Sequence, residues 1–308
     1  MGEEMRILWS WIAAGILMTM LHAPAEAGLW GTTCARRSLD EAYRNPQAVA
    51  LAKAAVRGDA ETVAWLAATT PGLVNTLEDG AVPPLLWAIC ADNVEGFEAL
   101  LKAGADPNLG GNGHGPGDGK GHGRKENGTI IREGWSAMLL AAGSGNPAFL
   151  RLALRYGGDV NAAKGKRVAP NQPLLLAAYY GLFDNVKALV AAGADINARD
   201  IESTAPEYAI GVGGRFDIAV WLLQQGFHHD LPSLALGAEI RQVPLNSPLQ
   251  RSKEQLINML RAQGLVFPRR PLNLQALKER DIPPEAVEDL IMGRKLVWQF
   301  RLKSEPPS

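Results

Sequence analysis

The sequence predicts an all-α fold, a single-file stack of helical hairpins, and three observations carry that prediction. First, the stretch from Asn171 to Asn197 reads as two short antiparallel helices and a turn. Gln172, Pro173, Leu174, Leu176, Ala177 and Ala178 open it, Gly181 breaks it, and Phe183, Val186, Leu189 and Val190 place an apolar face at helical spacing on the second helix. Gly193 then supplies a left-handed C-cap, where a side chain would cost energy. Second, such a hairpin cannot bury its own apolar face, and copies of it recur. One runs through Pro84, Leu85, Trp87, Ala88 and Ile89 to Ala103–Asn108, another from Ser136 to Asn161, and a fourth from Thr204 to Gly226 with about one extra residue near Gly213. A weaker copy precedes them from Ala48 to Val74, and a degenerate one follows from Pro232 to Gly264. Third, Gly104, Gly157, Gly193 and Gly226 close the second helices at spacings of about 53, 36 and 33 residues.

The Pro-Leu-x-x-Ala-Ala starts and the Ala-Gly-Ala-Asp-x-Asn ends resemble those of ankyrin repeat proteins, whose period is ~33 residues. The resemblance is good from about residue 47 to 226 and decays afterwards. It implies an ankyrin solenoid of about five to six hairpins with a C-terminal helical cap. The organisation read from the sequence is a signal peptide over 1–27, a lead-in over 28–46, an array over 47–264 with a Gly-rich insertion at 109–134, and a cap and tail over 265–308. Function is less constrained, because such arrays are scaffolds with many unrelated partners.

The N-terminus is a separate unit. Arg6 precedes an uncharged, mostly apolar run from Ile7 to Leu21, and the small-x-small site Ala25, Glu26, Ala27 follows. This is the layout of a cleaved secretory leader, and the run is short for a ~20-residue membrane span. Cleavage after Ala27 leaves a mature chain of about +1, periplasmic or secreted, with no stable membrane span. Near-neutral charge argues against a nucleic-acid binder driven by phosphate neutralisation. The two cysteines are Cys34 in the lead-in and Cys90 late in a first helix. An oxidising compartment permits a Cys34–Cys90 bridge; two unpaired thiols, with Cys90 half buried, are the other reading. Further along, Asp281, Pro283 and Pro284 mark a helix start ahead of the apolar Val287, Leu290 and Ile291, a helix expected to cover the last hairpin.

Leu109–Gly134 contains ten glycines and lies where a finger should connect two repeats. A solvent-exposed insertion fits it, as does a partner-binding loop that orders on contact. His114, Asp118 and His122 make a metal site a further alternative, but without zinc-type spacing and with glycine on every side no metal is expected. In the next finger Lys164, Lys166 and Arg167 fit either a solvated loop or a basic edge that steers an acidic patch on a protein partner.

The resemblance places the inner face of the array on the fingers and first helices. Trp87, Trp135, Tyr179, Tyr180 and Tyr208 stand on or near those helices. Large aromatics dominate binding hot spots but also fill gaps between hairpins, and Tyr208 occupies a position the family usually packs. Tyr179 and Tyr180 together, just before the inter-helix turn, suit a half-wet interface. The candidate partner-binding set is therefore Trp87, Trp135, Tyr179, Tyr180, Tyr208, Lys164 and Arg167.

No nucleophile elbow, phosphate loop or His-Glu-x-x-His helix occurs in the sequence. The expectation is a non-enzymatic, cofactor-free, exported scaffold that binds a protein. By family analogy the first use is a periplasmic immunity protein that neutralises a toxic effector. A stress-protection or assembly factor for a periplasmic enzyme comes next, and a metal or small-ligand sensor built on the Gly/His insertion is a third class.

Overall fold

The computed structural model describes residues 39–77, 82–110, 135–163, 170–268 and 279–304. The N-terminal run expected to be a leader, Cys34, most of the Gly-rich insertion with His114, Asp118 and His122, and the finger residues Lys164, Lys166 and Arg167 lie outside the described residues. Among the described residues there is no strand, only isolated bridges such as Gly110 to Ser136 and Arg199 to Thr204.

Among the described residues, a short lead-in helix α1 (Leu39–Ala42) is followed by twelve helices that form six hairpins. They are α2 (Pro46–Arg57) with α3 (Ala60–Thr69), α4 (Pro84–Cys90) with α5 (Val94–Lys102), and α6 (Ala137–Ala142) with α7 (Pro147–Arg155). Next come α8 (Pro173–Tyr179) with α9 (Phe183–Ala191), α10 (Ala205–Val212) with α11 (Phe216–Gln224), and α12 (Leu231–Ile240) with α13 (Pro248–Ala262). First helices stack on first helices from α2 to α12. Second helices follow the same order, α9 meeting α11 through an edge-to-face Phe183–Trp221 pair at 5.8 Å. The degenerate Pro232–Gly264 stretch is thus a sixth hairpin in the same packing as the rest.

Local chemistry explains the short helices. Asn93, Asn146 and Ser136 side chains accept from backbone N–H groups at the starts of α5, α7 and α6, satisfying donors a helix start leaves open. Asp59 does the same for α3, accepting from Thr62 N. Thr204 and Glu207 form a reciprocal capping box at α10. Leu85, Leu86, Leu139, Leu140, Leu174 and Leu175 are buried along the first helices, and each buried Leu contributes roughly 1.5–3 kcal/mol. Small residues let the hairpins approach: a Cβ on Gly96 would lie 1.8 Å from the carbonyl oxygen of Ala55.

A hydrogen-bonded ladder joins the repeat ends. Asn75 Nδ2 donates to Gly104 O at 3.0 Å and its Oδ1 accepts from Asp106 N at 2.8 Å. Asn108 does the same with Gly157 O and Asp159 N, at 2.9 and 2.7 Å. Asn161 continues to Gly193 O and Asp195 N, at 3.4 and 2.8 Å. This is the structural content of the Asp-x-Asn signature: each asparagine satisfies the exposed cap carbonyl and the following turn of the next hairpin. At Asn197 the pattern changes, because His228 stands where the aspartate should be; Asn197 Oδ1 accepts from His228 N and His229 N.

The extra residue near Gly213 is real and local. α10 has eight residues where α8 has seven. Arg215 N reaches back to Ala209 O, a span of six residues, where Leu182 N reaches Ala177 O across five.

Beyond the sixth hairpin, residues 279–304 lie against α13. Arg261 holds Glu288 with two bonds of 2.8 and 2.7 Å, and Arg294 Nε meets Glu254 at 2.8 Å. The helix start expected from Asp281, Pro283 and Pro284 falls at the prolines, with Pro283 at the N-cap. Asp281 pairs with Arg301 instead, and a 3-10 turn (Pro284–Ala286) leads into α14 (Val287–Ile291). Leu290 and Ile291 are buried as their spacing predicts.

Candidate protein-binding surface

The candidate surface is built around Tyr179 and Tyr180 at the end of α8. Pro173 through Ala178 are buried, and the two tyrosines are the half-exposed end of the helix. Their rings meet edge to face with centroids 4.9 Å apart. Tyr180 leans over Gly143 of the preceding hairpin, where a Cβ would meet its ring at 3.5 Å and Leu176 at 2.9 Å. Tyr179 also contacts Tyr208 of the following hairpin, at 5.6 Å.

Tyr208 is 2 % exposed and packs rather than protrudes. Its hydroxyl donates to Asp200, at 2.9 Å to Oδ2 and 3.0 Å to Oδ1. Burial pushes the phenol well above its ordinary pKa, and the Asp200 carboxylate adds to the shift, so Tyr208 stays protonated as a donor. Asp200 Oδ1 also accepts from Glu202 N and Ser203 N, both at 2.9 Å. An antiparallel bridge between Arg199 and Thr204 closes the same finger. Arg199 meets Asp230 at 2.6 Å and fastens the finger to the start of α12. The buried tyrosine therefore braces a tight finger from below, and the tip presents Ile201, 62 % exposed.

Ile201 was absent from the sequence-derived set. Its signal was available, an apolar residue between Asp200 and Glu202 in a connecting finger, but finger residues read as solvated by default. Trp87 and Trp135, 8 % and 5 % exposed, are buried between hairpins and offer a partner little area. Lys164 and Arg167 lie outside the described residues, so the basic edge is not placed. The structure thus joins Tyr179, Tyr180 and Tyr208 into one cluster and separates them from the two tryptophans.

Among the described residues no group of His, Cys, Asp or Glu could hold a metal ion, and no helix is long and apolar enough to cross a membrane. Cys90 is disulfide-bonded, so the reading with two unpaired thiols is overturned; Cys34 lies outside the described residues.

A regular helical stack with braced fingers and a half-exposed aromatic edge defines a repeat scaffold for protein–protein contact. Comparison with known families gives that class its name. Residues 83–112 match the family described as Ankyrin repeat, and residues 119–200 match that described as Ankyrin repeats (3 copies). Both segments are thus matched as ankyrin repeats, and the hairpins on either side of them share the same packing. No curated protein matches the chain.

Proposed function

We propose that this ankyrin array is an exported, non-enzymatic scaffold that binds one protein partner through Tyr179, Tyr180 and Ile201. The observation that carries the surface is the Tyr208–Asp200 brace, which rigidifies a finger with an apolar tip beside two half-wet tyrosines. Preorganised aromatic and apolar side chains lose little conformational freedom on binding and supply most of the contact energy. Export is supported by the leader-like N-terminal run and by the disulfide at Cys90, since disulfides persist in oxidising compartments. Within this reading the use we place first is periplasmic immunity, in which the array covers a toxic effector stoichiometrically. An exported binder that needs no chemistry of its own suits that task.

The test is capture from periplasmic extract by the mature protein on a solid support. One partner should be retained at a 1:1 ratio. Tyr179→Ala/Tyr180→Ala and, separately, Ile201→Asp should each lower retention at least about tenfold, as loss of a hot spot does. Equal retention by wild type and both variants overturns the surface. If the captured protein is not toxic when expressed in the periplasm alone, the immunity reading fails while the scaffold reading stands.

A further inference from the structure

The finger above Tyr208 carries charge of one sign. Residues 193–210 hold four acids, Asp195, Asp200, Glu202 and Glu207, and one base, Arg199. Arg199 is already engaged by Asp230 at 2.6 Å. Among the described residues no lysine or arginine pairs with any of the four carboxylates. Neutral donors hold three of them. Asp195 accepts from Asn197 N at 2.9 Å, Asp200 from the Tyr208 hydroxyl and two backbone amides, and Glu207 from Thr204 N at 2.8 Å and the Thr204 hydroxyl at 2.7 Å. Glu202 is exposed, next to Ile201 in the chain.

Hydrogen bonds from neutral groups fix these carboxylates in place without cancelling their charge. Asp200 is 9 % exposed, so little water screens it and its field reaches the finger surface. Asp200 and Glu202 both help raise the Tyr208 phenol, so both lie near the aromatic cluster that includes Tyr179. A half-exposed tyrosine ring adds its own attraction for a cation. The surface thus sets apolar area, at Ile201 and Tyr179, beside negative charge. Its sign is opposite to that of the basic edge read from Lys164 and Arg167, which lie outside the described residues.

We infer that the segment of the partner seated on Tyr179 and Ile201 is basic: an apolar side chain packs on those two residues, and a lysine or arginine beside it meets Glu202. The inference rests on the scaffold reading and names the chemistry its partner must carry. Complementary charge steers encounter and suppresses wrong partners, and an acidic segment or a nucleic acid would bring like charge to this finger. The apolar contact holds the segment, and Glu202 selects it.

The probe is a random dodecapeptide library displayed on phage and panned over the immobilised full mature chain. Enriched peptides should carry lysine or arginine within a residue or two of an aromatic or aliphatic side chain. A selected peptide, made synthetically, should bind Glu202→Lys at least about tenfold more weakly than wild type at low salt. The gap should narrow at about 1 M salt, where the screening length falls to about 3 Å. Glu202→Gln, which removes the charge and keeps the shape, should show the same loss in smaller measure. Tyr179→Ala/Tyr180→Ala should lose at least about tenfold at either salt concentration. Unchanged helical circular dichroism shows that each variant is folded. Neutral or acidic peptides that depend on Tyr179 overturn the basic partner and leave the surface standing. Basic peptides that bind the tyrosine variant as well as wild type overturn both. No enrichment, or equal affinity for wild type and Glu202→Lys, overturns the inference, while capture from extract still decides the surface.

Discussion

The joints inside the array and the last joint achieve the same helix packing with different chemistry. From the first hairpin to the fourth, one asparagine per repeat bridges a cap carbonyl and a turn amide of its neighbour. At the sixth hairpin that device is gone. Its inter-helix loop, residues 241–247, is long, and its order depends on Lys253, a lysine with no exposed surface. Lys253 Nζ donates to Arg241 O at 2.6 Å and to Glu239 O at 3.3 Å, closing the end of α12 that elsewhere a tight turn closes. Gly293, at φ 74°, passes over its stem, where a Cβ would sit 3.3 Å from Lys253 Cδ and 2.8 Å from Val243. The ladder is modular and partly wet, so each rung is weak and replaceable. The buried ammonium is a single component on which one whole hairpin and its cover depend.

The comparison breaks most severely where backbones touch. Gly96→Ala forces a Cβ to within 1.8 Å of the Ala55 carbonyl, and α5 must move away from α2. The expected loss is about 3 kcal/mol, at the upper end for overpacking, read as a large fall in thermal midpoint by circular dichroism. Unaltered melting would show that the first joint is not close-packed.

Lys253 supplies the next largest effect. Lys253→Met leaves the two carbonyls without their donor and should destabilise the last hairpin by about 2–3 kcal/mol, measured by hydrogen exchange across α12 and α13. The pH dependence sharpens the point. Burial pulls the Lys253 ammonium down to about 7 from its ordinary 10.5, while Glu239 pulls it back up. Above pH 7 the unfolded chain therefore binds a proton that the folded chain does not, and stability rises with pH, by up to about 1.4 kcal/mol per unit. The window ends near pH 10, where Tyr208, its phenol held up by burial, begins to act in the opposite sense. Urea denaturation at pH 7, 8 and 9 should show the rise in wild type and lose it in Lys253→Met.

Smaller effects belong to the ladder and the finger. Tyr208→Phe removes the donor to Asp200 and should lower stability by about 1–1.5 kcal/mol while loosening residues 199–204, a change visible as faster exchange at Ser203 N–H. Asn108→Ala removes one rung and should cost about 1 kcal/mol in chemical denaturation. The matching change at the interrupted end, His228→Ala, keeps the backbone bond to Asn197 and should fall within about 0.5 kcal/mol.

The sequence made the repeats legible because their determinants are local. Gly193, Ala177, Ala178 and the Asp195–Asn197 turn each act within a few residues of themselves, so period and capping suffice to find them. Even the added residue near Gly213 showed as a break in phase. What stayed hidden was set by distant segments. The neighbours of Lys253 in sequence give no sign of its burial, which α12 and Gly293 impose by closing around it. Asp281 carries a helix-start signature, yet Arg301, twenty residues on, takes its side chain. Ile201 reads as a loop residue because nothing nearby in sequence reports the tyrosine that braces its finger. Of the candidate set, Tyr179 and Tyr180 were legible through their position before the turn, whereas nothing in the local pattern around Trp87 and Trp135 reports that both are buried.

The single added residue in α10 has a mechanical meaning. In a sheet, one insertion would invert every side chain beyond it. Here Arg215 turns back to the Gly181 carbonyl and grips Asp217 at 2.7 Å, so the disturbance dies out within one turn of chain. Length changes are thereby quarantined at hairpin bends, and the protein can vary the reach of one bend without re-tailoring its neighbours.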